Sequence, residues 1–419
     1  MTELPIEVLA DEAAERLIRY ARIDTQSEED SGTFPSTEKQ WDLLRLLRDE
    51  LTGLGAADVE LDEHGYVFAT VPSTVAHEVP AIGFLAHVDT TPDVTGTNVQ
   101  PQRIRYDGGE IVLPGDARQV ISPRDSPELS DHVGHDLITS DGTTLLGADD
   151  KAGVAEIMTA VSYLLAHPDV PHGRLRVGFN PDEELGTGTD HFDLARFGAE
   201  AAYTLDGSTA GELHDETFSG ARVTVAIRGR AVHPGWGKGE LVNALKLAAE
   251  ILKRLPPDRL SPETTEGREG YIHPDEISGD AGAAELRFIV RDHDDALLDE
   301  HLTLLRGIVD AVAAAEPRAQ ISFAERIQYR NMRNELSKQP EIVERAESAI
   351  RRVGLEPNRT LIRGGTDGSR LTELGLPTPN LFTGGHLYHS EREWCCVHDM
   401  GLAVATIIEL AALWAEESR

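Results

Sequence analysis

A recurring pattern, in which a short apolar run ends in an acidic residue or a histidine, constrains the fold of this chain more than any other feature. The pattern occurs at residues 79–90, 175–184, 201–208 and 377–389. Each run has the length of a buried strand that opens into a loop at its carboxyl end. A segment with helical character, residues 152–166, separates two of the runs. Strands that alternate with helices predict an α/β fold.

The chain is long enough for two domains, because its 419 residues exceed what a single hydrophobic core usually spans. Its character changes near residue 217, where an amphipathic strand leads into segments with the order β-α-β-β-α-β. This order is the signature of a ferredoxin-like α+β unit. We therefore predict that residues 215–330 form an inserted domain, between the two parts of a larger α/β domain at residues 1–214 and 331–419.

A helix is predicted at residues 37–51, where leucines recur with helical spacing. Thr37 and Gln40 have the spacing of a capping box, and Gly53 is expected to end the helix. The apolar residues share one face, so we expect a surface helix with that face turned inward.

The composition is strongly acidic, and this argues against some partners. Asp and Glu total 73 against 39 Lys and Arg, which gives a formal net charge of -34. Such a field repels phosphate backbones and anionic lipid surfaces. The N-terminal segment has no basic region followed by an apolar one, and no uninterrupted run of 18 apolar residues occurs. We expect a cytoplasmic protein that binds neither nucleic acid nor membranes.

Candidate metal ligands follow the predicted strands of the larger domain. In open α/β sheets, ligands bind outside the carboxyl ends of the strands. The acids and histidines at those positions are His87, Asp89, Asp149, Asp150, Glu183, Glu184, Asp206 and His389. Two imidazoles with several carboxylates suit zinc, and a carboxylate can bridge two ions in a hydrolytic site. Each motif alone also has an ordinary explanation, as a surface ion pair, a helix cap or a solvated acidic face.

Seven segments taken together resemble peptidase family M20, a family of co-catalytic zinc peptidases. They are FLAHVDT, LLGADDKAG, FNPDEELG, YTLDG, AVHPGWGKGELVNA, IRGGTDGSRL and PNLFTGGHLYHSE. The resemblance extends over nearly the whole chain, with the segments in the same order and at compatible spacings. It implies an α/β catalytic domain with a mixed sheet and an inserted ferredoxin-like α+β lid domain. Within the family, the likeness is to tripeptide aminopeptidases.

The resemblance also implies roles for the residues at the strand ends. The implied ligands of two Zn²⁺ ions are His87 and Asp206 for one, Glu184 and His389 for the other, and Asp149 as the bridge. Other divalent ions, such as Co²⁺ or Mn²⁺, could take the place of zinc. Asp89 would accept the second imidazole N–H of His87 and fix its tautomer. Glu183 would act as the general base that takes the proton of the attacking water.

The implied lid would contribute contacts to a small peptide substrate. His233 is at the position of a lid histidine that helps to polarise the scissile carbonyl, and Asn243 lies in the part of the lid motif associated with substrate contacts. Arg363 resembles an anchor for the substrate carboxylate, because a guanidinium group grips a carboxylate with two hydrogen bonds. Lid domains of this family can also mediate homodimers.

Three functions remain open from the sequence. The first is an aminopeptidase that releases the N-terminal residue of tripeptides. The second is a related M20 hydrolase that cleaves dipeptides or N-acyl amino acids. The third is a non-catalytic metal-binding protein, against which the presence of Glu183, the implied base, argues.

Two further features are ambiguous. His386 lies three residues before His389, and either histidine could reach a metal; the position in the motif favours His389. Cys395 and Cys396 are adjacent, which suits neither a loop-closing disulfide nor a CxxC metal site. We interpret both cysteines as structural.

Overall fold

The computed structural model describes residues 4–417, which separate into two compact units. The first unit runs to residue 215 and continues at residues 335–360 and from residue 366 onward; the second comprises residues 216–334 and 361–365. The predicted boundaries, after residues 214 and 330, differ from these limits by a few residues and omit the segment 361–365.

The strands of the described residues vary from two to ten residues in length. In chain order they are β1 (Ala57–Leu61), β2 (Val67–Val71), β3 (Ile82–His87), β4 (Gln102–Arg105), β5 (Ile111–Val112), β6 (Val120–Ile121), β7 (Asp136–Thr139), β8 (Leu175–Asn180), β9 (Ala201–Leu205), β10 (Glu212–Thr217), β11 (Ser219–Arg228), β12 (Tyr271–Gly279), β13 (Ala283–Asp292), β14 (Gln320–Tyr329), β15 (Asn358–Ile362), β16 (Asn380–Leu381), β17 (Gly385–His386) and β18 (Trp394–Cys396).

The helices include both long core helices and single turns. In chain order they are α1 (Ile6–Ala21), α2 (Gln40–Leu54), α3 (Ala148–Ala166), α4 (Leu194–Phe197), α5 (Ala244–Lys253), α6 (Asp295–Ala315), α7 (Arg333–Leu336), α8 (Pro340–Arg352), α9 (Asp367–Glu373) and α10 (Val397–Glu417). Short 3-10 helices lie at Pro127–His132, Pro234–Trp236 and Pro262–Thr264.

The largest sheet has eight strands in the order β1-β2-β8-β3-β9-β16-β10-β15. Strand β3 pairs in parallel with β8 and β9, and β9 pairs in parallel with β16. The pairs β1–β2, β2–β8 and β10–β16 are antiparallel. The predicted α/β class with a mixed sheet is therefore confirmed. Because β3, β8 and β9 run in the same direction, their carboxyl ends meet at one edge.

Helices α1, α3 and α10 pack against one another, and α3 contacts β3 and β9 of the largest sheet. Nearly every residue of α3 up to Val161 is buried, including the charged residues Asp150, Lys151 and Glu156. Helix α10 is long and apolar enough to span a bilayer, but 94% of its most apolar window is buried inside the protein. These three helices form part of the core of the first unit.

Helix α2 differs from its prediction at both ends. Lys39 occupies the N-cap without a side-chain hydrogen bond, so the predicted capping box of Thr37 and Gln40 is wrong. The Gln40 side chain donates instead to Asp182 Oδ1 at 2.7 Å. The predicted end at Gly53 is also wrong, because the helix continues to Leu54. Gly55 follows as the C-cap, and its φ of 89° is a left-handed conformation that glycine adopts without strain.

A smaller sheet of the first unit has the strand order β17-β18-β7-β4. Strand β18 pairs antiparallel with both β17 and β7, and it leads directly into helix α10. This sheet therefore connects the loop that carries His389 to the start of the core helix.

The second unit has the element order β11-α5-β12-β13-α6-β14. Its sheet order is β12-β13-β11-β14, and all its pairs are antiparallel, which is the ferredoxin-like arrangement that the sequence predicts. The side chains of β13 alternate between buried and more exposed, and helices α5 and α6 cover the buried face. Asn243 and Asp294 cap the two helices by accepting backbone N–H groups at their first turns.

Candidate active site

The predicted metal ligands lie at the carboxyl edge of the largest sheet and in the segments beside it. Their positions are His87 at the end of β3, Glu183 and Glu184 in the turn after β8, Asp206 directly after β9, Asp149 at the start of α3 and His389 after β17. Parallel strands bring the first four to one edge although more than a hundred residues separate them in the sequence.

Two groups of potential ligands form there. In the first group, His87 Nε2 lies 3.0 Å from Asp149 Oδ1 and 3.9 Å from Asp206 Oδ1. In the second, His389 Nε2 lies 3.0 Å from Glu184 Oε1 and 3.4 Å from Asp149 Oδ2. Each group could hold one metal ion, and we name the five residues together the Asp149 cluster. Asp149 belongs to both groups, with one carboxylate oxygen directed to each.

The start of helix α3 is shaped to present Asp149. Asp149 and Asp150 have non-helical backbone angles, so the regular helix begins only after them. The carboxylate of Glu393 accepts the backbone N–H groups of Leu146, Gly147 and Asp149, at 2.8, 2.7 and 3.0 Å. Glu393 thereby fixes the segment that carries the shared carboxylate.

Asp89 is buried and fixes two parts of the site. Its Oδ1 lies 3.3 Å from His87 Nδ1, the ring nitrogen turned away from the Asp149 cluster. Its carboxylate also accepts the backbone N–H groups of Glu183 at 3.0 Å and Glu184 at 3.3 Å. One carboxylate therefore positions an imidazole and both glutamates.

The turn that holds the two glutamates is fixed from a second side. Asp182 has a φ of 57°, an uncommon left-handed conformation for a residue other than glycine. Its buried carboxylate accepts the backbone N–H of Ser36 at 2.6 Å and the side-chain amide of Gln40 at 2.7 Å. Adjacent side chains after this turn take different directions: Glu184 reaches His389, whereas Glu183 Oε2 lies 3.9 Å from His87 Nε2.

The electrostatics of the site favour cations. Burial, reinforced by the neighbouring carboxylates, raises the pKa of Glu183 and Asp206 well above their ordinary values. Burial and the charge of Asp149 raise the pKa of Glu184 to about 7. The carboxylates of Asp149 and Glu184 raise the pKa of His389 to about 11. Buried carboxylates this close together need positive charge, which protons or metal ions supply.

One buried atom without a hydrogen-bond partner and the types of donor atom indicate that the site suits metal ions. Glu184 Oε1 is buried and, within residues 4–417, has no hydrogen-bond partner despite its closeness to His389. A buried carboxylate oxygen without a donor suits a cation better than any other partner. The two imidazoles and the carboxylates are also the N/O donors that zinc takes.

Sequence reasoning missed two acids near the site. Asp367, in the segment IRGGTDGSRL, accepts a hydrogen bond from the Asn180 side chain at 2.5 Å and is close enough to raise the pKa of Glu183. Glu393 fixes the Asp149 segment, as described above. The motif IRGGTDGSRL could have indicated Asp367. No motif indicates Glu393, because it acts through backbone amides about 245 residues away.

His386 takes no part in either group of the Asp149 cluster. Its ring stacks on Trp394, with 4.2 Å between the ring centroids, and burial lowers its pKa to about 3. The structure therefore favours His389 as the ligand candidate, as the motif does. Cys395 and Cys396 are both buried, free thiols.

The three predicted substrate contacts lie in the second unit. His233 is exposed, and its ring is 4.5 Å from that of Trp236 between centroids. Asn243 accepts the backbone N–H of Lys246 at 3.2 Å, so it has a local task as the cap of α5. The Arg363 guanidinium donates to Gly267 O and Thr265 Oγ1, each at 3.0 Å. The roles of these residues towards a substrate stay predictions.

The fold is α/β with a mixed sheet, and two groups of His and carboxylate ligands that share Asp149 lie at the carboxyl edge of this sheet. This combination is typical of metal-dependent hydrolases. The chain belongs to peptidase family M20/M25/M40, whose family model matches residues 139–413. The resemblance to this family is confirmed over nearly the full length of the chain. Peptidase T of Exiguobacterium sp. (strain ATCC BAA-1283 / AT1b) is 50% identical over 406 residues, which cover 97% of this chain and 98% of that relative.

Solved structures share the fold. The crystal structure of aminopeptidase PepT from Bacillus cereus ATCC 10987 superposes with a TM-score of 0.74 at 21% identity, over 97% of this chain and 99% of that one. The crystal structure of a tripeptidase from Staphylococcus aureus subsp. aureus mu50 gives a TM-score of 0.76, also at 21% identity and with the same coverage.

Proposed function

We propose that the protein is a metal-dependent aminopeptidase that releases the N-terminal residue from tripeptides. The observation that carries this proposal is the carboxylate of Asp149, whose two oxygens belong to two adjacent groups of His and carboxylate ligands. The full-length likeness to relatives named Peptidase T supports the peptidase, and the shared fold with a protein described as a tripeptidase supports the substrate length.

Two Zn²⁺ ions would occupy the Asp149 cluster. His87 and Asp206 would hold one, His389 and Glu184 the other, and Asp149 would contact both. When bound, the ions would polarise the scissile carbonyl and lower the pKa of water in the site toward neutrality. Other divalent ions with the same preference for nitrogen and oxygen donors, such as Co²⁺ or Mn²⁺, would be expected to substitute.

Glu183 would act as the general base. Its carboxylate lies beside His87 and, among the described residues, belongs to neither ligand group. It is therefore free to accept the proton of the attacking water and to deliver that proton to the leaving amine. Asp89 would support both steps, because it orients the His87 ring and fixes the backbone of Glu183.

The second unit would supply the contacts to the peptide. His233 would polarise the scissile carbonyl, Asn243 would contact the substrate, and Arg363 would bind the substrate carboxylate. The guanidinium of Arg363 lies 5.3 Å from the ring centroid of Phe218 and 5.8 Å from that of Tyr271, which holds its plane in place. A homodimer through this unit and a cytoplasmic location stay predictions.

A series of peptides of increasing length tests the substrate. The purified protein should hydrolyse a free tripeptide much faster than the corresponding dipeptide and tetrapeptide. The matched control is the same tripeptide with an acetylated N-terminus, which an aminopeptidase should leave intact. Comparable rates on all three lengths would reject the tripeptide assignment, and preferred cleavage of dipeptides or N-acyl amino acids would favour the related M20 hydrolase.

Removal of metal tests the mechanism. Treatment with a chelator should abolish tripeptide hydrolysis, and addition of Zn²⁺, Co²⁺ or Mn²⁺ should restore it. Activity that is indifferent to the chelator would contradict the metal mechanism. Bound metal without hydrolysis of any peptide or N-acyl amino acid would favour a non-catalytic metal-binding protein.

A further inference from the structure

A second set of potential ligands lies away from the Asp149 cluster, within the first unit. Two residues come from the end of the 3-10 helix Pro127–His132 and the turn after it, and two from the junction of β18 and α10. They are His132, His135, Cys396 and Asp399, which we name the Cys396 cluster. None of these four residues has a task in the proposed peptidase mechanism.

The Cys396 cluster has the spacing of a metal site. The sequence reads H-x-x-H at residues 132–135 and C-x-x-D at residues 396–399. Cysteine pairs with two intervening residues are common in structural zinc sites. In the Cys396 cluster a His–His pair and a Cys–Asp pair have this spacing, with which one tight turn can direct both side chains to the same ion. Here Gly134, with a φ of 91°, makes the first turn, and the His135 N–H donates to His132 O at 2.9 Å.

The distances fit a single ion. One ligand atom from each of the four residues lies within 4.8 Å of all the others. Cys396 Sγ is 3.8 Å from His135 Nδ1, and Asp399 Oδ2 is 3.7 Å from His132 Nε2. In a tetrahedral zinc site with bonds of about 2.0–2.3 Å, ligand atoms lie roughly 3.3–3.8 Å apart. Small side-chain rotations would bring the remaining pairs into this range.

An orphaned atom points independently to a ligand. Asp399 is 4% exposed, and its Oδ2 has no hydrogen-bond partner among the described residues. A buried carboxylate oxygen without a donor is costly unless a cation satisfies it. The oxygen faces His132 and is 3.7 Å from its ring nitrogen, which is longer than a hydrogen bond but suitable for two ligands of one ion.

We propose that the Cys396 cluster binds one structural Zn²⁺ ion through His132, His135, Cys396 and Asp399. All four positions of a tetrahedral ion are filled by protein, so the site leaves none for water or substrate. The Cys396 thiol releases its proton to solvent when the ion binds, which leaves a thiolate and a carboxylate to balance the charge of the ion. His135 is partly exposed and provides a path of entry.

The ion would tie the start of the core helix α10 to the segment before β7. Cys396 immediately precedes α10, and Asp399 lies in its first turn. The same strand, β18, follows Glu393, which fixes the Asp149 segment. A metal ion bound to Cys396, at the other end of β18, would therefore stabilise the position of Glu393 and of the Asp149 segment. The ion itself would not contact the substrate.

Cobalt substitution tests the proposal, because a thiolate bound to Co²⁺ gives a charge-transfer absorption band and tetrahedral Co²⁺ gives intense visible bands. The full-length protein is freed of metal with a chelator and titrated with Co²⁺. We expect a thiolate band that has saturated once Co²⁺ fills all three proposed sites of the chain, with a final intensity that corresponds to one thiolate-bound ion per chain. The Asp149 cluster contains no sulfur, so the band reports on the Cys396 cluster alone and is independent of the proposed peptidase activity.

Adjacent cysteines provide a matched pair of variants. Cys396→Ser should lose the thiolate band, whereas Cys395→Ser, which changes an equally buried thiol, should keep it. If Cys396→Ser does not fold, His135→Gln takes its place, because a glutamine should be tolerated at this partly exposed position. In His135→Gln the thiolate band should appear at a higher Co²⁺ concentration than in the wild type. Absence of the band in the wild-type protein, or its persistence in Cys396→Ser, would overturn the proposal.

Discussion

The two histidine-containing clusters of the first unit differ in charge and in how their ligands are shared. The Asp149 cluster combines two imidazoles with three carboxylates, and one of these carboxylates belongs to both ligand groups. The Cys396 cluster combines two imidazoles with one thiol and one carboxylate, and no ligand is shared. Five ligands for the two proposed ions would leave coordination positions open, whereas four ligands for the one proposed ion would leave none.

This difference indicates a catalytic role for the Asp149 cluster and a structural role for the Cys396 cluster. An open position is where water and a substrate carbonyl can bind, so of the two clusters only the Asp149 cluster would suit the proposed hydrolysis. The Asp149 cluster also lies at the carboxyl edge of the sheet, where α/β enzymes bind their ligands. The Cys396 cluster lies where a 3-10 helix, a short strand and a core helix meet, which is a position for a structural ion.

Replacement of the shared ligand should have the largest effect. Asp149→Ala removes a ligand from both groups at once, so we expect the loss of two ions per chain and of all measurable peptide hydrolysis, while one ion stays in the Cys396 cluster. Elemental analysis of the purified variant measures this. The control is Asp93→Ala, which removes an exposed carboxylate 4.0 Å from His389 Nδ1 and should change neither quantity. Loss of only one ion would show that Asp149 is not a bridge.

Replacement of the base should separate catalysis from metal binding inside the Asp149 cluster. Glu183→Gln should lower kcat by roughly 10²–10⁴-fold, the range typical of a general base, with an unchanged metal content. Glu184→Gln is the matched variant one residue away, and it should lose metal as well as activity. The opposite pattern would mean that the two glutamates have each other's roles.

Replacement of a positioning residue should have a smaller effect. Asp89→Asn keeps the size of the side chain but weakens its hold on His87 and on the turn of Glu183 and Glu184. We expect metal affinity or activity to fall about 10–100-fold, as for other residues that orient metal ligands. Competition with a chelator measures the affinity, and the Co²⁺–thiolate band of the Cys396 cluster serves as an internal control. An equal change at both clusters would indicate general destabilisation.

The contrast between the clusters also shows what the sequence could predict. His87, Glu184 and Asp206 follow strands β3, β8 and β9, whose shared direction brings them to one edge, so the local pattern and the sheet rule were sufficient to group these three. Asp149 begins helix α3 and His389 follows β17 of the smaller sheet, so the family resemblance was needed to add these two. The family resemblance was needed to distinguish Glu183 from Glu184. The turn at Asp182 directs the two glutamate side chains to different places. The carboxylate of Asp182 is held by Ser36 and Gln40, and the sequence around the glutamates does not reveal these contacts.

The Cys396 cluster was not predicted, although both of its ligand pairs are visible in the sequence. His135 and Cys396 are 261 residues apart, and no strand pattern connects the two pairs. Only the pairing of β18 with β7 brings them together. The end of α2 was missed because Gly53 and Gly55 are equally good stops in the sequence; the structure uses Gly55, in the left-handed conformation.

The smallest effect is expected from replacement of Glu156, and it concerns the pH dependence of stability. Glu156, on helix α3, is fully buried, and neither of its carboxylate oxygens has a hydrogen-bond partner among the described residues. Burial, followed by the charges of Asp150 beside one cluster and Asp399 in the other, raises the pKa of Glu156 well above 4.5. The folded protein therefore keeps this proton at pH values where the unfolded chain has released it. The contribution of Glu156 to the free energy of unfolding falls as the pH rises above 4.5.

We therefore expect Glu156→Gln, which is neutral at every pH, to unfold at nearly the same temperature as the wild type at pH 4.5, and at an increasingly higher temperature as the pH rises above 4.5. Thermal unfolding followed at several pH values measures the difference, with both proteins freed of metal because the metal affinity itself changes with pH. Glu15→Gln, at an exposed position on α1, is the control and should give a constant difference. A constant difference for Glu156→Gln as well would mean that Glu156 ionises in the folded protein as readily as in water.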